Sequence, residues 1–305
     1  MNSSLGLEFI SHCPCCSSIN VRMQDAVLAP FFAARALGVN PVKIGIGEFR
    51  DLDPGTSYQP CSSIYCSNCM SVSCSARLSP ASMNRYYQGY QDQCFIDMRV
   101  VHEPSFAERM KRRTNPNTLR IKGERCSYVE KVENFYLELT GKRRPSAVLD
   151  YGGGSGANTP FRSVANISII DIDASNAQVN DAENSSNPDL VCLMNVLEHV
   201  NNPEGILRAA LKSCRKVVDI LIEVPLERFM HDLASESLYK SKKIWTEHIN
   251  CFTPMGLLSL AENVGLNPYA TRPSLLETSA LGDNCAEENA KAMILVCRYD
   301  PQACE

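Results

Sequence analysis

The second half of the chain shows a regular alternation of short apolar runs and helical segments. The apolar runs, which are typical of buried strands, are SAVLDY, ANISIIDID, PDLVCLMNV, CRKVVDILIEVP and AMILVCRY. The segments PEGILRAALKSC and PMGLLSLAENVG have the apolar spacing of amphipathic helices. Because strands that alternate with helices form βαβ units, this half predicts an α/β fold with a doubly wound, Rossmann-like and mostly parallel sheet.

The first part of the chain lacks this alternation. It combines a short helical pattern after residue 23 with a strand-like run, VKIGIGEF, and a polar, tyrosine-rich segment. An amphipathic helix is then predicted in CSYVEKVENFYLELTG, ending at Gly141, since three basic residues and Pro145 follow it. We place the domain boundary in the polar stretch RRTNPNT, which gives a smaller domain 1–115 and an α/β domain 116–305.

Charge and hydropathy restrict the classes of partner. The 305 residues carry a formal net charge of −4, which argues against an obligate nucleic-acid binder, although the basic run ERMKRR at 108–113 keeps a macromolecular partner open. No stretch reaches the roughly 18 apolar residues that a membrane span needs, and the first residues lack the pattern of an export signal. We therefore expect a cytoplasmic protein without membrane contact. The number of subunits stays open.

Cysteine spacing predicts a metal site in the smaller domain. The chain has 15 cysteines, and two pairs stand in C-x-x-C spacing, Cys13 with Cys16 and Cys66 with Cys69. Two such turns can complete a closed tetrahedral zinc site, so we expect one structural Zn²⁺. Neighbouring residues that could replace one of these ligands are Cys15, Cys61, Cys74 and His12. An iron–sulfur cluster also accepts four cysteines, but the paired spacing fits zinc better.

The glycine-rich turn VLDYGGGSG predicts a nucleotide-type cofactor at the first strand-to-helix connection. Gly152, Gly154 and Ala157 satisfy the dinucleotide fingerprint G-x-G-x-x-A, with Asp171 or Asp173 about twenty residues on. However, Asp150 directly precedes the glycines, and its carboxylate would repel a pyrophosphate. S-adenosylmethionine has no phosphate and carries an ammonium and a sulfonium group, so the charge favours this methyl donor.

The segments VLDYGGGSG, DIDAS, NDAEN, DLVCLMNVLEHVNNPEGIL and EHINCFTPMGLLSLAENVGL occur in one order between residues 120 and 300. Together they resemble the class I S-adenosylmethionine-dependent methyltransferases. The order of a cysteine-rich front domain, a Rossmann-like core and an EH-x-x-x-F-T-P segment is similar to that of sugar C-methyltransferases, which act on nucleotide-linked keto-deoxysugars. The resemblance implies a methyltransferase whose front domain forms one wall of the acceptor site.

The resemblance also implies roles for single positions in cofactor binding. The positions expected to line the methionine part are Asp150, Gly152, Gly154 and Gly156. Asp173 would accept the ribose hydroxyls, with Asp171 on the same strand face as the alternative. Asp181 and Ala182 would meet the adenine amino group. Asn195 lies in the segment 194–199, which in this family closes the cofactor pocket.

For catalysis the resemblance implies a histidine general base acting on a small acceptor, a sugar or a sugar nucleotide. His248 is the first candidate, with Glu247 as its polar neighbour, and His199 is the second. The related enzymes carry an aromatic residue and a second histidine just before the EH pair, where this chain has Trp245 and Thr246. Methyl transfer to O or N of another small molecule therefore stays open, as does an RNA or protein substrate that docks on the zinc domain.

Overall fold

The structure is a computed structural model. It describes residues 6–38, 59–90, 92–103, 106, 119–163, 165–171, 187–212, 214–230, 236–277 and 291–304. The predicted strand VKIGIGEF and the domain boundary near residue 115 lie outside these ranges, so the boundary stays a prediction. Among the described residues, no helix combines the length and the apolar character needed to span a bilayer.

The N-terminal part is built around a five-stranded sheet. Its strands β2 (Val21–Leu28), β3 (Gln59–Cys66) and β4 (Val72–Cys74) pair antiparallel, and a separate ribbon joins β1 (Leu7–Phe9) to β5 (Ala76–Leu78). Three helices accompany these strands: α1 (Pro30–Leu37), α2 (Pro80–Tyr87) and α3 (Gln93–His102). The sequence predicted a short helix here but not this antiparallel sheet.

The C-terminal part begins with the long helix α4 (Leu119–Thr140), which ends at Gly141 in a left-handed conformation, as predicted. The strands that follow in this sheet are β6 (Ala147–Tyr151), β7 (Asn166–Ile170), β8 (Leu190–Met194), β9 (Val218–Leu226), β12 (Asn267–Pro268), β13 (Ser274–Glu277) and β14 (Lys291–Tyr299). The helices are α5 (Pro203–Leu211) and α6 (Pro254–Asn263), with short 3₁₀ turns at Arg228–Met230, Glu236–Ser241 and Pro301–Cys304. Each apolar run of this half corresponds to one strand.

The C-terminal sheet is mixed, which corrects the expectation of a mostly parallel one. Its order is β12-β14-β9-β8-β6-β7, with β13 also paired to β14. The strands β7, β6, β8 and β9 are parallel, whereas β14 runs antiparallel to β9 and carries two antiparallel edge strands. The run AMILVCRY shows that a buried strand forms, but a buried apolar run has the same pattern in either direction.

Both faces of this sheet are covered, as a doubly wound fold requires. Along β8, Leu190, Cys192 and Met194 pack in one apolar cluster with the buried residues of α4. Val191 and Leu193 point the other way, into a cluster that also holds buried residues of α5, α6 and the N-terminal part. The two parts of the chain therefore share one core on this side.

A short segment between β9 and α6 joins the two parts. Its strands β10 (Ile244–Trp245) and β11 (Asn250–Cys251) add to opposite edges of the N-terminal sheet, β10 beside β2 and β11 beside β4. The fully buried indole of Trp245 donates its N–H to Ser63 Oγ at 2.8 Å. The pair Glu247–His248 lies between these strands, so the N-terminal sheet fixes its position.

Candidate active site

The glycine turn follows β6 at the carboxyl end of the parallel strands. Gly152, Gly154 and Gly156 all have positive φ values, +84°, +53° and +71°, which L side chains rarely adopt. A Cβ on Gly152 would stand 2.6 Å from a methyl group of Val196, and one on Gly156 would stand 2.6 Å from Ile169. At Gly154, by contrast, the nearest atom beyond its chain neighbours would be an oxygen of Asp171 at 3.8 Å, so the turn has an open side there.

Asp150 lies beneath this turn and is 1% exposed. Thr159 donates its hydroxyl to Asp150 Oδ2, whereas Oδ1 is buried and accepts no hydrogen bond from the described residues. Burial raises the pKa of Asp150 to about 6, and the nearby charge of Asp171 adds to the increase. A buried carboxylate oxygen without a donor fits a cationic ligand group above the turn.

Asp171 follows β7 directly, beside the end of β6. Its Oδ2 accepts a hydrogen bond from the backbone N–H of Gly154 at 2.7 Å, so the carboxylate lies at the open side of the turn. Asn195, exposed and at φ +55°, follows β8. The other candidates for cofactor binding, Asp173, Asp181 and Ala182, lie outside the described residues.

The acceptor-side candidates His199 and His248 form a pair. Their ring centroids lie 4.6 Å apart and the ring planes make an angle of 80°. Val196 connects the two regions, because its carbonyl accepts the backbone N–H of His199 and its side chain lies against Gly152 of the glycine turn. The ring of Tyr87 also contacts His199, with centroids 6.3 Å apart.

The two imidazoles have different partners and opposite pKa shifts. Burial opposes a charge on His248, but the hydrogen bond to Glu227 Oε1 (2.6 Å) and the charge of Glu227 outweigh it and raise the pKa of His248 to about 9. Burial lowers the pKa of His199 to about 4, and the charge of His248 adds to this shift. The two shifts favour a proton on His248 and a neutral ring at His199 near neutral pH.

Glu247 connects this pair to the N-terminal part. Its carboxylate accepts the hydroxyl of Tyr86 and lies 3.7 Å from Nη1 of Arg99. Burial alone would raise the pKa of Glu247, but Arg99 and the neighbouring histidines lower it, so the carboxylate is ionised. Its backbone carbonyl lies 3.1 Å from Nδ1 of His199. Tyr86 and Tyr87 of α2 therefore contact Glu247 and the ring of His199.

The sequence did not identify Glu198, Glu227 or Arg99 as part of this site. Glu198 precedes His199 in the motif LEHV, so its position in sequence was a usable signal. Glu227 follows β9 and Arg99 lies in α3, and neither stands in a motif. Their contacts with the EH pair depend on the way the two parts of the chain pack together.

The predicted metal ligands converge on one point and form a four-cysteine cluster. The sulfur atoms of Cys13, Cys16, Cys66 and Cys69 all lie within 4.8 Å of one another, with Cys13–Cys69 at 3.6 Å and Cys16–Cys66 at 3.5 Å. Tetrahedral zinc with Zn–S bonds of about 2.3 Å requires sulfur separations of about 3.8 Å. Four thiols at this spacing fit the ion and leave no position open. Backbone N–H groups of Cys15 and Cys69 point at the sulfurs of Cys13 and Cys66.

The four-cysteine cluster contacts the segment that follows the EH pair. Thr253, which caps α6 by accepting the N–H of Gly256, donates its hydroxyl to the carbonyl of Cys69. The N–H of Thr253 also bonds to Ser71 Oγ at 3.2 Å. The second cysteine turn and the start of α6 are therefore one packed unit.

Residues 123–271 match the family of methyltransferase domains. The matched residues include the glycine turn, Asp171, His199 and His248. This match supports S-adenosylmethionine-dependent methyltransferase activity for the chain. Comparison with curated proteins gives no significant match.

Solved structures similar to this chain include methyltransferases. The plantazolicin methyltransferase BpumL in complex with SAH is 14% identical, with a TM-score of 0.38 over 61% of this chain and 91% of that one. Magnesium protoporphyrin IX methyltransferase (ChlM) from Synechocystis PCC 6803 with bound SAH is 13% identical, with a TM-score of 0.40 over 64% and 95%. A likeness at these scores identifies no substrate for the methyltransferase domain of this chain.

Proposed function

We propose that the protein transfers a methyl group from S-adenosylmethionine to a small, carbohydrate-linked acceptor bound between the histidine pair and the tyrosines of α2. The observation that carries the proposal is the adjacency of two unlike sites. A glycine turn flanked by Asp150 and Asp171 lies at the strand ends, and Val196, which packs against this turn, accepts the backbone N–H of His199 in the histidine pair.

The cofactor would bind in the open side of the glycine turn. Asp150, with its unpartnered buried oxygen, suits the ammonium group, and Asp171 suits the ribose hydroxyls because its carboxylate already lies at the N–H of Gly154. We therefore favour Asp171 over Asp173 for the ribose. Asn195, Asp181 and Ala182 keep their proposed roles in closing the pocket and contacting adenine. When bound, S-adenosylmethionine supplies an electrophilic methyl group on a positively charged sulfur.

The histidine pair would accept the proton of the acceptor and stabilise the negative charge that forms on it. Nε2 of neutral His199 accepts the proton of an acceptor O–H, or of a C–H beside a carbonyl, while the imidazolium of His248 stabilises the negative charge that develops on the acceptor oxygen. The freed electron pair of the acceptor forms the new bond to the methyl carbon, and the sulfur retains the electron pair of the broken C–S bond. The proton on His199 then leaves to water.

Glu247 would position the acceptor rather than take its proton. Its carboxylate is already engaged by Tyr86 and Arg99, and its carbonyl lies at His199. The ring of Tyr87 packs against that of His199, with centroids 6.3 Å apart. Burial raises the pKa of Tyr87, and the charges of Glu247 and Asp171 add to the increase, so its hydroxyl keeps its proton. These contacts favour an acceptor that is small and rich in oxygen. An O- or N-methyltransferase of another small molecule, and an RNA or protein methyltransferase, remain the alternatives.

The four-cysteine cluster would hold one structural zinc ion. Zinc at this point would tie β3 and the second cysteine turn to α6 and thereby to the EH pair. A closed set of four thiolates offers no coordination position to a substrate, so the role is structural.

Calorimetric titration with S-adenosylmethionine, S-adenosylhomocysteine and NAD tests the cofactor. We expect the first two to bind and NAD not to bind. Asp171→Ala should weaken binding of S-adenosylmethionine by about 1–3 kcal/mol, because the ribose hydroxyls lose a charged acceptor. Asp173→Ala is the matched control for a nearby acid and should change the affinity less.

Two results would contradict this proposal. Binding of NAD without S-adenosylmethionine would make the glycine turn a dinucleotide site. A larger loss of affinity in Asp173→Ala than in Asp171→Ala would return the ribose to Asp173 and leave Asp171 as a residue that only stabilises the turn.

A further inference from the structure

Glu198 is a buried carboxylate without a hydrogen-bond donor. It is 1% exposed, and neither of its side-chain oxygens has a hydrogen-bond partner among the described residues. A carboxylate in such a position is costly unless a proton, a cation or a set of donors compensates it. The described residues supply neither an N–H nor an O–H donor to this carboxylate, so a proton or a cation must compensate it.

Two imidazoles stand at this carboxylate. An oxygen of Glu198, a ring nitrogen of His199 and a ring nitrogen of His248 all lie within 4.8 Å of one another. The distance from Glu198 Oε1 to His199 Nε2 is 3.7 Å, too long for a hydrogen bond. Two histidines and one carboxylate are the ligand set of many sites for divalent zinc, iron and related metals.

The opposite nitrogen of each ring already has an acceptor. Nδ1 of His199 lies 3.1 Å from the backbone carbonyl of Glu247, and Nδ1 of His248 lies 2.6 Å from Glu227 Oε1. Metal-bound histidines commonly donate their second N–H to a carbonyl or carboxylate, which fixes the ring and its tautomer. In both rings this arrangement leaves Nε2 as the nitrogen for a ligand bond.

The cluster is closed on one side and open on the other. The side chain of Glu198 is 1% exposed, whereas those of His199 and His248 are 18% and 32% exposed. Three protein ligands with an accessible side are typical of a metal site that keeps coordination positions for a substrate. The four-cysteine cluster, with its closed set of thiols, has the opposite character.

We propose that Glu198, His199 and His248 bind one divalent transition-metal cation, and that oxygen atoms of the acceptor complete its coordination. The role toward the acceptor rests on the proposed function, but the binding of the cation does not. Without a bound metal, the imidazolium of His248 would supply the positive charge next to the acceptor. With the metal bound, the cation would supply this charge instead. It would polarise a carbonyl or acidify a hydroxyl of the acceptor, and His199 would then serve as a ligand instead of a base.

Cobalt titration of the full-length protein tests the proposal, with the four-cysteine cluster kept filled by zinc and the zinc content measured by mass spectrometry. No cofactor or acceptor is added. We expect one further equivalent of Co²⁺ to bind. Its visible bands should be weak, as for nitrogen and oxygen ligands, without the intense thiolate-to-cobalt charge-transfer band that exchange into the four-cysteine cluster would produce.

Variants assign the binding to the three residues. Glu198→Gln and His248→Gln should each weaken cobalt binding by at least about tenfold, since each removes one ligand. His102→Gln is the matched control, because His102 packs beside Phe31 and lies outside the cluster. It should leave the affinity unchanged. Thermal melts check that the variants fold, and the partly exposed His248 carries the test if the buried Glu198 does not tolerate glutamine.

Failure of the zinc-loaded protein to bind this one equivalent of Co²⁺, or unchanged affinity in both variants, would overturn the inference. The titration with S-adenosylmethionine is independent of it. Cobalt binding without binding of S-adenosylmethionine would contradict the proposed function alone, and the reverse result would contradict the metal site alone.

Discussion

At the scale of single residues, the neighbours of an imidazole decide its chemistry. His199 and His248 touch, yet Glu227 raises the pKa of His248 to about 9 while burial lowers that of His199 to about 4. From sequence the two were ranked with His248 as the base. A ring that is protonated at neutral pH cannot accept a proton, so the electrostatics favour His199 for this role.

The pH dependence of the reaction separates the two assignments. If His248 acts as a cation, kcat/KM should stay level near neutral pH and fall as the pH rises through about 9, where His248 loses its proton. If His248 is the base, kcat/KM should instead rise toward the same pH. Burial raises the pKa of Asp150 to about 6 and that of Glu198, which lies beside both rings, to about 8, so the alkaline limb must be assigned with a variant of His248.

A substitution provides the control for this pH profile. His248→Gln should remove the alkaline fall and lower kcat by about a hundredfold, because the charge that stabilises the acceptor oxygen is lost. Calorimetric titration should show unchanged binding of S-adenosylmethionine, as His248 lies on the acceptor side. An alkaline fall that persists in the variant would assign it to another group.

The sequence could not show which acid follows the last residue of β7. The motif DIDAS offers two acids on one strand face. β7 ends at Ile170 and Asp171 bonds to Gly154, whereas Asp173 lies outside the described residues, so the ribose acceptor stays a prediction. The glycine turn after β6 was readable because the absence of side chains is itself a signal, although among the described residues turns and not the expected helix lead from it to β7. Glu227 was not readable, since its role depends on a partner 21 residues away, His248.

At the scale of elements, the glycine turn is constrained by contact as well as by φ. Gly152 and Gly141 both have positive φ, +84° and +61°, but a Cβ would meet Val196 at 2.6 Å in the first case and open space in the second. A side chain at Gly141 would therefore cause backbone strain alone, whereas a side chain at Gly152 would cause backbone strain and a steric clash. The carbonyl of Val196 also accepts the backbone N–H of His199. A displacement of Val196 would therefore affect both the glycine turn and His199.

Alanine substitutions measure this difference. Gly141→Ala should cost about 1–2 kcal/mol of unfolding free energy, the cost of a left-handed L-residue, and leave the affinity for S-adenosylmethionine unchanged. Gly152→Ala should cost more, about 2–4 kcal/mol, and weaken that affinity, because Val196 must move. Denaturant unfolding and calorimetry give both quantities. Equal losses at the two positions would show that the contact with Val196 is unimportant.

The strands β10 and β11 are too short for the spacing of apolar residues to predict them. The strands β6, β8 and β9 were predictable because each is a largely buried, mostly apolar run of five or more residues, whereas in β7 only Ile169 is buried. The strands β10 and β11 have two residues each, too few to show any period, and they pair with β2 and β4, more than 170 positions earlier in the chain. Their position, and with it that of Glu247 and His248, comes from the packing of the two parts.

At the scale of the whole molecule, the four-cysteine cluster and the acceptor side belong to one connected structure. Cys66 ends β3, the carbonyl of Cys69 accepts the hydroxyl of Thr253, and β11 pairs with β4 immediately after the EH pair. The glycine turn, in contrast, rests on β6, β7 and Val196. Loss of metal should therefore disturb the acceptor side first.

Removal of the proposed zinc ion tests this coupling through Trp245, the single tryptophan of the chain. Its indole is fully buried and bonded to Ser63, so chelation should shift its fluorescence to longer wavelength as the N-terminal sheet loosens. Cys66→Ser should give the same shift with less than one zinc per chain, whereas Cys94→Ser, at an exposed cysteine outside the cluster, should not.

Calorimetry should find S-adenosylmethionine binding largely retained while turnover is lost, because the cofactor turn stands on the other sheet. Equal loss of cofactor binding would mean that the two sheets unfold as one unit, and unchanged fluorescence would mean that the four cysteines do not hold β10 and β11 in place.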